Sequence, residues 1–410
     1  AITGLSWILL VIFGSLPYLF TGAIPSVVDA IFESASGFTT TGSSILTDIE
    51  SLPHSILFWR NFTNFLGGMG VLVFAVALLP KSNSEDIHIL KSEMPGPTFD
   101  KVLSRISELA RVFYIIYAAL TLILMVILIS AGMSPFDAIL QSFATAGTGG
   151  FSNHNTSIAA FESVPIEIIL AFGMLIFAVN FNLYFYALRG RWREALKSDE
   201  LHWFVGIVLI AVTAITITIM PMYDSFWLCL KDAFFNVATI VTTTGFGTAD
   251  FCQWPLFAQM VLLMLMFIGG CAGSTAGGLK ISRVIALAKM AGKKLRQSVN
   301  PKRVSVIIYE DKPMNERSQN DIALYFILYI ILFFLMVVLV SFQNLDFTTT
   351  FTAVVTTFNN VGPGLGNVGP TGNFSNFSDF SKCVLSFSMI AGRLEIVPLI
   401  LLFAPSTWRA

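Results

Sequence analysis

Four stretches of the 410-residue chain end in turns rich in threonine and glycine, and their spacing is nearly constant. Each stretch starts with a polar residue, continues through a short, mainly apolar segment, and reaches a glycine 13, 12, 13 and 13 residues later. Successive glycines lie 107, 96 and 117 residues apart. Four copies at matched spacing indicate an internal repeat. The stretches are 29–42, 137–149, 232–245 and 349–362.

Backbone carbonyl oxygens are the groups that such turns can offer to a ligand. Glycine suits them because it reaches backbone angles closed to other residues. Four turns around one axis can replace the hydration shell of a monovalent cation. The alternative is a set of ordinary turns near the membrane surface, which one copy would favour and four matched copies do not. The residues predicted to bind the ion are Thr41, Gly42, Thr148, Gly149, Thr244, Gly245, Val361 and Gly362.

The composition places these turns in a membrane protein. The chain is 55% hydrophobic and 12% charged, whereas a soluble domain has roughly 25% charged residues. About 20 apolar residues cross a bilayer. The segments before the turns are too short to cross, so they are predicted to be re-entrant helices. The eight predicted spans are 5–20, 56–79, 112–131, 166–188, 203–220, 255–291, 322–341 and 384–404.

Basic residues crowd into the connections that follow the second, fourth and sixth predicted spans, at 81–111, 189–197 and 283–317. The positive-inside rule places these connections in the cytosol and the four turns on the outer side. The sequence therefore predicts an all-α membrane protein with four units of span, pore helix, filter loop and span around one pseudo-fourfold ion pore. The predicted units are 1–81, 82–197, 198–318 and 319–410.

The sixth apolar run, 255–291, is too long for one straight span. A helix of its 37 residues would measure about 55 Å, against a bilayer core of about 30 Å. The segment 269–278 holds five glycines and is predicted to cross below the turns as irregular backbone. The alternative is a continuous helix that uses small residues for packing. The predicted gate residues are Gly269, Gly270, Gly273, Ser274, Thr275, Gly277, Gly278 and Arg393.

Arg393 lies near the middle of the last predicted span, where a charge is costly and normally faces a bundle interior or a wet cavity. Two functional roles are open: an electrostatic barrier in the pathway, or a pin for the segment 269–278. The alternative is a structural guanidinium bound to backbone carbonyls. Arg60 is predicted to anchor its helix or to tie a neighbouring short helix. Glu33 is predicted to hold the geometry of its own helix, with direct ion binding as the alternative.

Other polar residues predict structure rather than catalysis. Asp29, Asp137 and Asp232 are predicted to be helix N-caps. The four cysteines share no metal-ligand spacing, although a bridge between Cys229 and Cys252 stays open. The sequence has no phosphate-binding loop, zinc pattern or Ser/His/Asp cluster, so we predict neither an enzyme nor a bound cofactor.

Further motifs accompany the four turns. They are FESASGFTTTG at 32–42, WR at 59–60, GGMG at 67–70, GGFS at 149–152, TTGF at 243–246, GGCAGSTAGGLK at 269–280 and GRLE at 392–395. Together they resemble the Trk/Ktr/HKT superfamily of potassium transporters, and most closely its bacterial TrkH-like membrane subunits. The resemblance implies a K⁺-selective pathway with filter glycines at Gly42, Gly149, Gly245 and Gly362. It also implies a gating loop at 269–278, with Arg393 beside the permeation path.

The resemblance also implies partners and a location. Members of this kind sit in the bacterial cytoplasmic (inner) membrane as homodimers, with a cytosolic nucleotide-binding regulatory subunit of the TrkA kind. The basic segment 280–317 is the predicted docking surface; contact with anionic membrane lipid alone is the alternative. TrkH-like subunits usually carry an extra pair of helices before the first repeat. Since this chain starts at Ala1, directly before a span, we expect that an N-terminal segment is missing.

The four turns are unequal, which bears on selectivity. In plant relatives, serine at the first filter glycine accompanies Na⁺ transport, so Gly42 favours K⁺. Ala146-Gly147 and Asn359-Asn360 stand where the other turns carry threonine. We therefore expect a modest preference for K⁺ over Na⁺, with Rb⁺ also passing. The rival hypothesis is an alternating-access symporter that couples K⁺ to H⁺ or Na⁺.

Overall fold

The computed structural model describes residues 2–70, 106–301, 306–310, 312–394, 396 and 399. These residues are mostly helical, with one two-stranded hairpin. Several predicted features lie outside the described residues. They are the end of the second span, the boundary between the first two units, most of the basic connection 81–111, Glu395, and most of the last span beyond Arg393.

The elements follow one another as short and long helices. The first half contains α1 (Ile2–Phe20), α2 (Val27–Phe38), α3 (His54–Met69), α4 (Ile106–Ser130), α5 (Pro135–Gly147), α6 (Val164–Phe177), α7 (Phe181–Leu188) and α8 (Trp192–Leu196). The second half contains α9 (Asp199–Ile219), α10 (Phe226–Val241), α11 (Leu256–Ile268), α12 (Ile281–Val299), β1 (Ile308–Tyr309), β2 (Lys312–Pro313), α13 (Glu316–Ser341), α14 (Phe347–Phe358) and α15 (Asp379–Arg393).

Three described helices, α4, α9 and α13, are long and apolar enough to cross a membrane. Large apolar side chains such as Leu122, Ile210 and Ile331 are more than half exposed on them. Such surfaces suit lipid and are unusual on a soluble monomer. The predicted spans 112–131, 203–220 and 322–341 therefore each correspond to one helix.

The predicted fourth span, 166–188, is wrong as one straight helix. The chain breaks at 178–180, and the axes of α6 and α7 differ by 89°. Asn180 caps α7 by accepting a hydrogen bond from the backbone N–H of Asn182. The sixth run also breaks, as its length predicts: α11 ends at Ile268 and α12 begins at Ile281.

The N-cap prediction for three aspartates is also wrong. Ser26 and Ser134 cap α2 and α5, and each side chain accepts the backbone N–H of the aspartate three residues later. Asp29 and Asp137 thus lie inside the first turn, where a carboxylate is stabilised by the helix dipole. Asp232 lies further along α10, which begins after Ser225.

Three pairs of helices that are distant in the chain pack against each other. α3 contacts α5, α6 contacts α10, and α15 contacts α2. Two ion pairs reinforce these contacts. Lys382 on α15 lies 2.6 Å from Asp29 on α2, and Lys231 on α10 lies 2.6 Å from Glu167 on α6. Helices that are far apart in the sequence are therefore cross-linked by ion pairs.

All four cysteines are free, so the disulfide left open between Cys229 and Cys252 is not formed. Cys229 and Cys271 are buried, whereas Cys383 is exposed. Among the described residues, no group of three or more His, Cys, Asp or Glu side chains is arranged to hold a metal ion.

Candidate functional site

The four short helices, α2, α5, α10 and α14, end in the same backbone motif. In each turn one residue has a left-handed conformation, with φ between 54° and 57°. The N–H of the next residue donates to the carbonyl five residues back over 2.8 or 2.9 Å, which ends the helix as a Schellman-type cap. The left-handed residues are Thr40, Thr148, Thr243 and Asn360. The donors are Thr41, Gly149, Thr244 and Val361.

This motif corrects the register of the second turn. The sequence predicts that Gly149 is equivalent to Gly42. In the structure, however, Gly149 makes the hydrogen bond that Thr41 makes in the first turn. Gly150, with φ 67°, is the residue that occupies the position of Gly42, which has φ 83°. Thr148 accordingly matches Thr40 rather than Thr41. With Gly150 as the reference, all four stretches measure 13 residues.

The four turns close into a ring, which we call the four-turn ring (40–42, 148–150, 243–245 and 360–362). A Cβ atom on the glycine of each turn would lie less than 3.0 Å from a carbonyl oxygen of the following turn. Only glycine therefore fits these positions without a shift of the backbone. The pairs are Gly42 with Gly149, Gly150 with Thr244, Gly245 with Val361, and Gly362 with Thr41. The order returns to its start.

A cavity of about 210 Å³ lies over one face of the ring. Gly42, Gly150, Gly245 and Gly362 all line it. The C-terminal ends of the four short helices, which carry partial negative charge, lead directly into the ring. The arrangement can therefore present carbonyl oxygens and helix dipoles to a cation that enters from the cavity.

A buried ion pair contacts the segments that follow the first two turns. Arg60 Nε lies 2.8 Å from Glu33 Oε1, and both side chains are almost fully buried. Glu33 also accepts the backbone N–H of Ile45, while Arg60 donates to the carbonyl oxygen of Ser152. The guanidinium lies 4.1 Å from the centre of the Phe151 ring. Arg60 thus ties the segments that follow both turns, and Glu33 fixes the start of that connection.

The segment 269–278 lies against three of the four turns. The Oγ1 atom of Thr148 donates to the carbonyl oxygen of Thr275 over 2.9 Å. The N–H of Gly277 donates to Thr243 Oγ1 over 2.6 Å. The N–H of Gly278 donates to the carbonyl oxygen of Asn359 over 3.1 Å. The segment is therefore irregular backbone, and the continuous packing helix considered from the sequence is wrong.

Glycines allow the segment to take this path. Gly269, Gly273 and Gly278 have φ between 67° and 75°. A Cβ on Gly277 would overlap the carbonyl oxygen of Asn359, and one on Gly270 would lie 2.5 Å from Ala276 Cβ. Ser274 lies in the same segment, and its Oγ donates to the carbonyl oxygen of Cys271 over 2.6 Å.

Arg393 joins this segment to the end of α3. Its Nη1 donates to the carbonyl oxygen of Thr275 over 2.8 Å. Its Nη2 donates to the carbonyl oxygens of Gly67 and Gly68 over 2.6 and 3.0 Å. α15 ends at this residue. The guanidinium thus contacts backbone carbonyls and also holds the segment, so two of the three roles considered for it coincide.

The break in the fourth span belongs to the same assembly, although hydropathy gave no sign of it. The N–H of Cys271 donates to the carbonyl oxygen of Ala178 over 3.0 Å, and the N–H of Phe181 donates to that of Gly273 over 3.0 Å. Thr275 Oγ1 donates to the carbonyl oxygen of Phe177. The two breaks therefore satisfy each other's backbone groups. In the sequence, only the polar pair Asn180 and Asn182 within an apolar run indicates this break.

Two aspartates outside the membrane-spanning helices have lowered pKa values. Hydrogen bonds from Thr349, through its backbone and side chain, lower the pKa of Asp346 at the start of α14. A side-chain hydrogen bond from Asn155 lowers the pKa of Asp48, which follows the first turn. Both carboxylates therefore stay negative on the side of the ring where the cavity lies.

Comparison with known proteins identifies the family. The family model for TrkH, described as a cation transport protein, matches residues 1–409. The chain belongs to the TrkH family. It is 40% identical to the Trk system potassium uptake protein TrkH of Salmonella typhimurium over 410 residues, which cover 99% of this chain and 84% of that protein. It is 34% identical to TrkG of Escherichia coli, with 98% and 84% covered.

A solved structure of the TrkH family has the same fold. The crystal structure of the potassium transporter TrkH from Vibrio parahaemolyticus aligns with a TM-score of 0.88 and 36% identity. The alignment covers 99% of this chain and 84% of that one. The resemblance seen in the sequence is thereby confirmed. The predicted location, a multi-pass protein of the bacterial cytoplasmic membrane, is confirmed by the family and by the apolar helices. The names of the relatives describe transport and not catalysis.

Proposed function

We propose that this chain takes up potassium through a K⁺-selective, channel-like pore whose filter is the four-turn ring. The cyclic closure of the ring carries the proposal, because each turn's glycine touches a carbonyl of the following turn until the fourth meets the first. A closed ring of backbone carbonyls can replace the hydration shell of a monovalent cation. The relatives' names, which describe potassium uptake, support K⁺ as the ion.

The proposed ligands are the carbonyl oxygens of the ring residues. From the first, third and fourth turns these come from Thr41, Gly42, Thr244, Gly245, Val361 and Gly362. From the second turn they come from Gly149 and Gly150, which correspond to Thr41 and Gly42, whereas Thr148 corresponds to Thr40. K⁺ is the cargo of this site rather than a resident cofactor.

Selectivity is proposed to be modest because the walls of the ring differ. Position 149 is glycine where the first and third turns have threonine, and position 361 is valine. Thr41 and Thr244 each share a hydrogen bond with a neighbouring threonine hydroxyl over 2.8 Å, at Thr39 and Thr242. The second turn has no side chain at the equivalent position to make that contact. A ring with unequal walls should prefer K⁺ to Na⁺ only moderately and should also pass Rb⁺.

The proposed gate is the segment 269–278 together with Arg393. The hydrogen bonds of this segment to three of the four turns support the proposal. Conduction would require this segment to move, and its small residues make such a movement inexpensive. Arg393 would hold the segment in its present place and contribute a positive charge beside the path.

Partners and unit boundaries remain proposals as well. We propose four units, 1–81, 82–197, 198–318 and 319–410, a homodimer, and a TrkA-like nucleotide-binding regulator on the cytosolic face. α12 supports this face, because it carries several lysines and arginines along a 19-residue helix. Anionic membrane lipid is the alternative ligand for the same charges.

An alternating-access symporter is the second candidate, and the paired breaks favour it. Discontinuous helices at membrane depth occur in such transporters as well as in channels. The closed ring favours the channel, because carbonyl oxygens from four loops around one axis can bind ions along a single path.

Flux through purified, reconstituted protein tests both functions. In proteoliposomes, radioactive Rb⁺ uptake should be inhibited by K⁺ more strongly than by Na⁺ or Li⁺. Equal inhibition by Na⁺ and K⁺ would contradict the selective ring. Single-channel recordings then separate the mechanisms, since resolved unitary currents indicate a channel, and their absence with measurable coupled flux would indicate a symporter.

A further inference from the structure

Glu200 places one carboxylate oxygen between the segment 269–278 and the first turn of α12. Its Oε1 accepts the backbone N–H of Ala272 over 2.7 Å and that of Ser282 over 3.2 Å. Glu200 itself is 3% exposed. Ala272 and Ser282 are buried too. One side chain from the second residue of α9 thus bridges the entry to the segment and the first turn of α12.

The residue next to Ala272 contacts the other broken span. Cys271 donates its backbone N–H to the carbonyl oxygen of Ala178, close to Asn180, which caps α7. The Nζ of Lys280 lies nearby, where it donates to the carbonyl oxygen of Ala276. Glu200 therefore forms an acidic centre that binds the segment 269–278 close to where the segment contacts the other break.

A second glutamate connects this centre to the cytosolic hairpin. Glu310 follows β1 at the turn of the hairpin, and its Oε1 accepts the Ser198 hydroxyl over 2.8 Å and the backbone N–H of Glu200 over 3.1 Å. Lys289 on α12 donates to the carbonyl oxygen of Ile308 over 2.8 Å. The start of α9, where Glu200 sits, is thus held by the hairpin.

Burial of this carboxylate has an energetic cost that its contacts must offset. A charged group removed from water costs several kcal/mol unless it is paired and hydrogen-bonded. Removing the carboxylate would leave the buried N–H groups of Ala272 and Ser282 with one acceptor fewer, which is costly. Glu200 therefore adds to the contacts that Arg393 and the turns of the ring make with the segment.

We infer that Glu200 is a positioning residue that staples the segment 269–278 in its present place, and that Glu310 holds Glu200 for this task. This inference rests on the proposed function, since it names the residue that controls the proposed gate. Movement of the hairpin from the cytosol would then loosen the staple and release the segment without any change in the four-turn ring.

Cys271 supplies a native probe for this inference. It lies within the segment, next to Ala272, and is fully buried. In a background with Cys229→Ala, Cys252→Ser and Cys383→Ser, the rate at which a small cationic methanethiosulfonate modifies Cys271 reports how often the segment leaves its place. The measurement uses the full chain in proteoliposomes and does not depend on ion flux.

Three variants of the two glutamates define the expected result. Glu200→Ala should raise the modification rate about tenfold, because two charge-assisted hydrogen bonds are lost. Glu200→Gln keeps an amide oxygen that can accept both N–H groups, so its rate should fall between those of Ala and Glu. Glu310→Gln should raise the rate less than Glu200→Ala. Glu194→Ala, which removes an exposed carboxylate on the same side, is the control and should leave the rate unchanged.

The outcomes separate the staple from the proposed pore. If Glu200→Ala elutes as folded protein and its Cys271 is modified no faster than in Glu194→Ala, the staple is overturned. If Glu200→Ala does not fold, unchanged rates in Glu200→Gln and Glu310→Gln overturn it instead. A raised basal Rb⁺ flux with an unaltered K⁺ to Na⁺ ratio supports the staple, whereas an altered ratio contradicts it. Absence of flux in the parent chain would count against the proposed pore alone, because the Cys271 rates would still be measurable.

Discussion

Arg393 and Thr148 donate to the same carbonyl oxygen, that of Thr275, over 2.8 and 2.9 Å. One backbone group in the segment 269–278 is thereby held from two sides, by the last helix and by the second turn of the ring. Because Arg393 and Thr148 both lie more than 100 residues from Thr275 in the chain, a movement of the segment must break two long-range contacts together. This shared acceptor makes Arg393 the sharpest place to test the proposed gate.

Two substitutions of Arg393 distinguish its proposed roles. Arg393→Ala removes three hydrogen bonds and a positive charge, and we expect basal Rb⁺ flux to rise about tenfold. Arg393→Lys keeps the charge, but its single ammonium cannot bridge Thr275 to Gly67 and Gly68 as the planar guanidinium does. Flux in Arg393→Lys close to that of Arg393→Ala would indicate a pin, and flux close to the parent would indicate a barrier. Unchanged flux in both variants would rule out any role in the pathway.

The corrected register of the second turn makes Gly150 the residue to substitute. Its φ is 67°, and a Cβ would overlap the carbonyl oxygen of Thr244. Gly150→Ala should therefore distort the ring and abolish most of the K⁺ over Na⁺ preference in competition assays. Gly132→Ala is the matched control, since Gly132 has φ 98° but nothing within 4 Å of its Cβ position. Equal selectivity in Gly150→Ala and the parent would contradict the ring.

The sequence predicts the ring well because the repeat is periodic, and it fails where periodicity is ambiguous. Thr148-Gly149-Gly150 offers two glycines, and the family motif alone does not say which one is equivalent to Gly42. The backbone conformation identifies Gly150, because in the other three turns the glycine comes two residues after the left-handed residue, and Thr148 is the left-handed residue of this turn. The distance from Asp137 to Gly150 is 13 residues, equal to that in the other three stretches, and this equality indicates the same register.

The gate region is less predictable because its contacts are distant in the chain. Arg393 is recognisable as a charge in an apolar run, but its acceptor Gly67 lies 326 residues earlier. The break before Asn180 exists because the segment 269–278 supplies hydrogen-bond partners to it, and hydropathy cannot register such partners. Glu200 looks like an ordinary helix-start acid in the sequence for the same reason.

Gly277 tests the proposed gate from the opposite side to Arg393. A Cβ on Gly277 would overlap the carbonyl oxygen of Asn359 and push the segment away from the fourth turn. We expect Gly277→Ala to raise basal Rb⁺ flux in proteoliposomes. Gly292→Ala on α12 should not do so, because nothing lies within 4 Å of that position. The gate would be contradicted by equal flux in the two variants, provided that both elute as folded protein.

Asp346 predicts a small dependence of stability on pH. Its pKa is lowered in the folded chain by hydrogen bonds from Thr349, so its stabilisation is present above the unfolded value of about 3.9 and is lost as the pH falls through the lower, folded value. Asp346→Asn retains a cap acceptor but cannot titrate. The difference in unfolding temperature between the parent and Asp346→Asn should therefore shrink on acidification. A difference that stays constant down to pH 3 would contradict this assignment.

Among the ion pairs described above, the pair of Glu33 with Arg60 should contribute most to the free energy of unfolding when one partner is removed, because both side chains are buried. Removing one partner from a buried pair leaves an unpaired charge and typically costs about 3–5 kcal/mol. Arg60→Met, which keeps the apolar contact with Phe151, should therefore lower the unfolding temperature sharply. The double variant with Glu33→Gln should recover part of the loss, because no charge is left buried. Arg191→Met breaks a surface pair with Glu194 and should leave the unfolding temperature nearly unchanged, because solvent screens exposed ion pairs. If Arg60→Met is as stable as Arg191→Met, the pair does not hold the first two turns, and the support we assign to it must come from the neighbouring backbone contacts instead.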